Sequence, residues 1–108
     1  MAEVTLDTEE IYNWETFHIQ SAKAFGFPVF YGKNMNAWID CLTYLPEGDG
    51  MSQFTLAHNE QLFIRLANST QFSRAQTEIY LVLLECIASV NQRYISDGDI
   101  PRLAIVPL

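Results

Sequence analysis

The stretch Phe30-Tyr31-Gly32-Lys33-Asn34-Met35-Asn36-Ala37-Trp38-Ile39-Asp40-Cys41-Leu42-Thr43 decides how this chain is read. Asn34 is a good helix N-cap, because its side-chain oxygen can accept from the free amides that open a helix. The helix it starts is expected to reach about Leu45. At about 100° per residue, Met35, Trp38, Ile39, Leu42 and Leu45 share one side, with Cys41 at its margin. Asn36, Ala37, Asp40, Thr43 and Tyr44 face the other way. Asp40 is thereby displayed on a short helix, directly after a loop from Gly26 to Lys33 that is rich in aromatic residues. Such a pairing suits a binding surface, since aromatics supply buried area at low entropic cost and a rigid helix fixes the charge. The same pattern also fits a solvated carboxylate beside core aromatics.

Working outward, Val4, Thr5 and Leu6 form a short β-favouring run. Asn13 offers an N-cap and Glu15 sits in the first turn of a helix expected from Trp14 to Phe25. Trp14, Phe17, His18 and Ala22 recur along it at helical spacing, and Gly26 stops it before Pro28. On the far side of the central stretch, Pro46, Gly48, Asp49 and Gly50 break the chain, and the segment to Asn59 reads as an irregular loop. Gln61 to Ala67 reads as a central strand. Asn68 to Phe72 reads as a separate turn before a long helix from Ser73 to Tyr94. The middle of that helix, Ile79 to Leu84, is apolar all round, which predicts burial between two layers. Asp97 and Gly98 end it, and Leu103 to Val106 form a closing strand bounded by Pro101 and Pro107. Strands separated by helices in the order β-α-α-β-α-β predict an α/β fold, a short parallel sheet with helices packed on it.

At 108 residues the chain suits a single domain spanning 1–108. Its hydrophobic share of 49% and aromatic share of 13% exclude the disordered class. Thirteen acidic residues against six basic ones leave a charge of −7. Lys23, Lys33, Arg65, Arg74, Arg93 and Arg102 are scattered singly, so no phosphate-tracking surface and no direct nucleic-acid binding are expected. An acidic protein is drawn to basic partners, although the same charge also serves plain solubility. Met1 to Asp7 lacks the pattern of a secretion signal, and Ile79 to Leu84 is far too short for a membrane span. Two cysteines, Cys41 and Cys86, fit free thiols in a reducing compartment, so a cytoplasmic location is expected.

Catalytic chemistry finds little support. His18 and His58 are the only histidines, and no ligand pair has metal spacing, so neither metal nor cofactor is expected. Cys41 lies mid-helix at the edge of an apolar face, where an inert, partly buried thiol is expected. Gly48-Asp49-Gly50 lacks the Lys and Ser or Thr of a phosphate cradle. Asp97 with Asp99, and Glu9 with Glu10, read as solvated ends of elements. The chain is not expected to be an enzyme.

The central stretch resembles the signature of the barstar family, whose founding member inhibits a small bacterial ribonuclease inside the cell that makes it. That signature runs two aromatics, glycine, any residue, asparagine, an apolar residue, an acid, alanine, two apolar or aromatic positions, then Asp-Cys-Leu. Tyr31, Gly32, Asn34, Ala37, Asp40, Cys41, Leu42 and Thr43 match it, and Pro28 fits upstream. The resemblance implies a three-stranded parallel sheet packed with three to four helices. It also implies an inhibitor or immunity protein that plugs the active site of a basic nuclease with its 28–44 loop and helix. Asp40 would stand where the substrate phosphate binds. Phe30, Tyr31, Gly32, Asn34, Asn36, Ile39, Thr43 and Tyr44 would surround it.

Several positions depart from the founding member. Asn36 and Lys33 replace acids, Phe30 replaces a tyrosine, and Ile39 replaces an interface aromatic. Near Gln92 a later acidic contact is missing. Trp38 stands one position early and so turns into the core. Pro46 to Asn59 reads as an insertion. These departures motivate a second expectation, a regulatory or assembly module that binds a non-nuclease protein through Phe30, Tyr31 and Ile39.

Overall fold

Three five-residue strands carry the fold. In the computed structural model, which describes residues 2–108, β1 (Ala2–Leu6), β2 (Leu62–Leu66) and β3 (Leu103–Pro107) lie side by side in that order, all parallel. Val4 pairs with Ile64, and Ile64 with Ile105. Parallel neighbours need long crossovers, and helices fill both. The first crossover holds a single 3-10 turn (Thr8–Glu10), α1 (Trp14–Phe25) and α2 (Met35–Leu42). The second holds α3 (Ser69–Ala75) and α4 (Thr77–Ser96).

Side chains alternate across a strand, and burial shows which face the helices cover. Val4, Leu6, Leu62, Ile64, Leu66 and Leu103 are buried. Glu3, Thr5 and Arg65 point the other way into solvent, where the Arg65 guanidinium lies 3.8 Å from the Glu3 carboxylate. The helices therefore form one layer on one face of the sheet. That single layer overturns the expectation of burial all round Ile79 to Leu84. Ile79 and Leu83 are buried against the core, whereas Leu81 remains 52% exposed because, among the described residues, no layer covers the outer face of α4.

α1 follows its local code. Asn13 accepts from the Thr16 amide at 2.8 Å and the Thr16 hydroxyl accepts from the Asn13 amide at 3.0 Å, a reciprocal capping box. Gly26 closes the helix at φ +69°, and a Cβ there would come within 2.7 Å of the Gln53 side chain. The Pro46 to Asn59 segment thus has a structural task. The Ser52 hydroxyl and the Gln53 amide both donate to the last carbonyl of α1, that of Phe25, at 2.6 and 2.9 Å.

Two helix boundaries differ from expectation. The stretch from Asn68 onward is not a turn leading into one helix. Asn68 at φ +54° opens α3, Gln76 breaks the geometry, and α4 then runs to Ser96. The second helix stops at Leu42 and does not continue to Leu45. The Tyr94 hydroxyl donates to the Leu42 carbonyl at 2.7 Å and accepts from the Leu45 amide at 3.1 Å. A side chain from α4 takes the place of the next helical hydrogen bonds.

Candidate partner-binding site

α2 is held at its start by Asn34, whose side-chain oxygen accepts from the Ala37 amide at 2.8 Å. The same side chain donates to the Gly32 carbonyl at 3.3 Å, which ties the preceding loop to the helix. On the inner face Trp38 is fully buried. Its indole donates to the Ser21 hydroxyl at 3.2 Å and meets the Phe25 ring edge-on at 5.7 Å. Leu42 and Cys41 are buried beside it. These contacts leave Asn36 and Asp40 on the outer face, exposed.

The loop before α2 turns sharply, with the Tyr31 amide donating to the Pro28 carbonyl at 2.9 Å. Val29 and Phe30 form its tip, and both are exposed, Phe30 at 72%. Tyr31 folds inward onto the Phe27 ring at 4.7 Å, and its hydroxyl lies 2.6 Å from His18 Nδ1. Burial, then the charge of Lys33, holds the His18 pKa below its ordinary value. Burial likewise pushes the Tyr31 phenol up. A neutral imidazole is therefore hydrogen-bonded to a protonated phenol, and the loop tip is carried on that buried polar contact.

Asp40 has a partner that comes from far along the chain. Arg93, in the last turn of α4, donates to Asp40 Oδ1 at 2.8 Å and to Thr43 Oγ1 at 3.3 Å. The Thr43 hydroxyl in turn donates to the Ile39 carbonyl at 2.6 Å. Both charged side chains remain about half exposed, Arg93 at 47% and Asp40 at 59%. Beyond them, Thr43, Tyr44, Ser89, Gln92, Arg93 and Asp97 line a groove of about 520 Å³ between the two helices. A neighbouring hollow of about 390 Å³ shares Thr43, Tyr44 and Asp97 and adds Glu47 and His58. A tighter hollow of about 240 Å³, beside Thr8, Tyr12 and Phe72, shares no residue with the motif.

The positions singled out from sequence divide by exposure. Phe30, Gly32, Asn34, Asn36, Asp40 and Tyr44 are at the surface, Ile39 is half buried against the core, and Tyr31 and Thr43 are inside. Tyr31 and Thr43 serve as supports, one beneath the loop and one beneath Arg93. The sequence reading did not place Val29, Arg93 and Asp97 at this surface. Val29 had a readable signal, lying between Pro28 and Phe30 at a turn. Arg93 had none, since it meets Asp40 from 53 positions away.

Elsewhere the polar groups are structural. Cys41 is more deeply buried than its place at the margin of the apolar face suggested. Burial, with Asp40 and Asp49 nearby, pushes its thiol up to about 11. Burial raises the Cys86 thiol as well. Asp99 is not merely a solvated end. It accepts twice from Arg102, whose guanidinium also reaches the Ala57 and Glu60 carbonyls at 2.9 and 2.8 Å. That hydrogen bond to Arg102 holds the Asp99 carboxyl below its usual range. Among the described residues, no group of three His, Cys, Asp or Glu side chains could hold a metal, and no helix is long and apolar enough to cross a membrane.

An aromatic turn, a capped eight-residue helix and an outward carboxylate, set on one face of a three-stranded parallel sheet, agree with the family match. Residues 1–105 match the family described as Barstar (barnase inhibitor). The chain belongs to the barstar family. No curated protein matches it. The match extends well beyond the central motif on both sides. In this barstar-family chain, Asp40 on α2 has the Arg93 guanidinium beside it.

Proposed function

We propose that this chain is an intracellular inhibitor, or immunity protein, of a small basic nuclease, a ribonuclease, and not an enzyme. In this reading the 28–44 loop and helix enter the nuclease active site, with Asp40 seated where the substrate phosphate binds. The observation that carries the reading is the placement of Asp40, exposed on the outer face of a helix capped at Asn34 and anchored by buried Trp38, within the family's motif. A site built from cations to hold phosphate is already organised to hold a carboxylate. The acidic balance of the chain would assist encounter with such a partner.

The test is affinity capture from the native host with wild type and Asp40→Ala. A basic nuclease retained by wild type and lost by the variant is the expected result. Equal capture of a nuclease by both forms would remove Asp40 as the anchor. The exposed apolar pair Val29 and Phe30 favours the second reading, an assembly module for a non-nuclease protein. Under that reading Phe30→Ala, and not Asp40→Ala, abolishes capture, and association changes little with salt.

A further inference from the structure

We infer that Arg93 is a specificity-determining residue that masks Asp40 in the free protein and sets which cationic clefts the chain accepts. The inference rests on the reading of Asp40 as anchor. It comes from the ion pair that joins α2 to α4. The pair is close, at 2.8 Å, and Arg93 is held from a second side by Thr43 Oγ1 at 3.3 Å. Thr43 is itself fixed, because its proton goes to the Ile39 carbonyl and its lone pairs are left for Arg93. The C-terminal turn of a helix also favours a cation there. Arg93 therefore has a defined seat beside Asp40.

The consequence is electrostatic. A cleft lined only by cations meets a carboxylate already paired on Oδ1, with a guanidinium next to it. Such a partner must displace Arg93 or tolerate a like charge, and like charges set face to face disfavour the wrong partner. Displacement is feasible because both side chains are about half exposed and such pairs are weak. The favoured partner offers a cation to Asp40 and, beside it, an acceptor for the remaining Arg93 donors. Negative charge lies further on, at Asp97 in the groove and Glu47 in the neighbouring hollow, so the mask is local to Asp40.

Binding to catalytically inactive barnase, the enzyme named with this family, tests this with wild type, Arg93→Gln, Asp40→Ala and the double variant. Neither side chain is buried, and thermal melts of all four check that folding is intact. Arg93→Gln is expected to bind at least about tenfold tighter than wild type, with association that slows more steeply as salt is added. Asp40→Ala is expected to cost at least about tenfold more in the Arg93→Gln background than in wild type, the signature of competition between neighbours. Weaker or unchanged binding by Arg93→Gln, or no binding by any form, overturns the mask. An Asp40→Ala cost that is large and equal in both backgrounds removes the mask and leaves the anchor. A cost absent from both removes the anchor as well.

Discussion

The inner and outer faces of the 28–44 segment are built to opposite rules. Inside, Tyr31, Trp38, Cys41, Leu42 and Thr43 are buried, and the polar atoms of Tyr31, Trp38 and Thr43 have named partners. Outside, Val29, Phe30, Asn36 and Asp40 are exposed, and Asp40 is held in place by the Arg93 side chain. Rigidity on one face is what lets the other present groups without collapse. A loop of exposed apolar residues would fold onto itself unless the residue beneath it were fixed, and Tyr31 supplies that fixed point. The comparison predicts that inner substitutions cost stability, whereas outer ones cost recognition alone.

The largest effect is expected at Trp38. Truncation of this fully buried indole to alanine should lose about 3–5 kcal/mol in urea or thermal unfolding, since transfer and cavity terms add. Asp40→Ala is its mirror image. It should leave unfolding within about 1 kcal/mol of wild type, because an exposed ion pair contributes little. Binding of a captured nuclease should weaken by about 2–5 kcal/mol, a range drawn from charge pairs in complexes that include this family's own. A stability loss at Asp40 comparable to that at Trp38 would erase the distinction between the faces.

Two smaller changes probe the supports between the faces. Tyr31→Phe keeps the ring on Phe27 and removes only the hydroxyl from His18, leaving a buried imidazole nitrogen unpaired. A loss of about 1–3 kcal/mol is expected in urea unfolding. Asn34→Ala removes the cap of α2 and the bond to Gly32, with a loss near 1 kcal/mol. It should also raise hydrogen exchange in the loop tip, which the same measurement on Asp40→Ala should not show.

The pH dependence of unfolding sharpens the same comparison. His18, packed among Trp14, Phe17 and Tyr31 and near Lys33, has a folded pKa below the ordinary 6.5. The unfolded chain therefore takes up the proton first as pH falls, and protonation favours unfolding. This contribution is fully present above about pH 6.5 and is lost as pH falls from there toward the folded pKa. Urea unfolding from pH 8 to pH 5 should show that decline, and His18→Gln should flatten it. An identical slope in the variant would assign the decline to other groups.

Local sequence carried much of this. Asn13 and Asn34 cap the helices they were expected to cap, because capping is a contact between residues three apart. Trp38 lies in the core, as its angle on the helix requires, and the apolar run after Gln61 forms the middle strand. The failures share a different cause. The end of α2 is set by Tyr94, whose hydroxyl arrives from 52 positions away to meet the Leu42 carbonyl. The break at Gln76 and the exposure of Leu81 depend on what α3 and α4 find to pack against, and periodicity does not record that.

By itself, then, the sequence determined the alternation of strands and helices, the caps, the inward face of α2 and the outward direction of Asp40. Each of these follows from backbone geometry and contacts within a turn or two. Only the tertiary structure decided that the helices form one layer, that the Pro46 to Asn59 loop closes the end of α1, and that Arg93 stands beside Asp40. Those outcomes depend on which distant side chains the packed core brings within about 3 Å, the reach of a hydrogen bond.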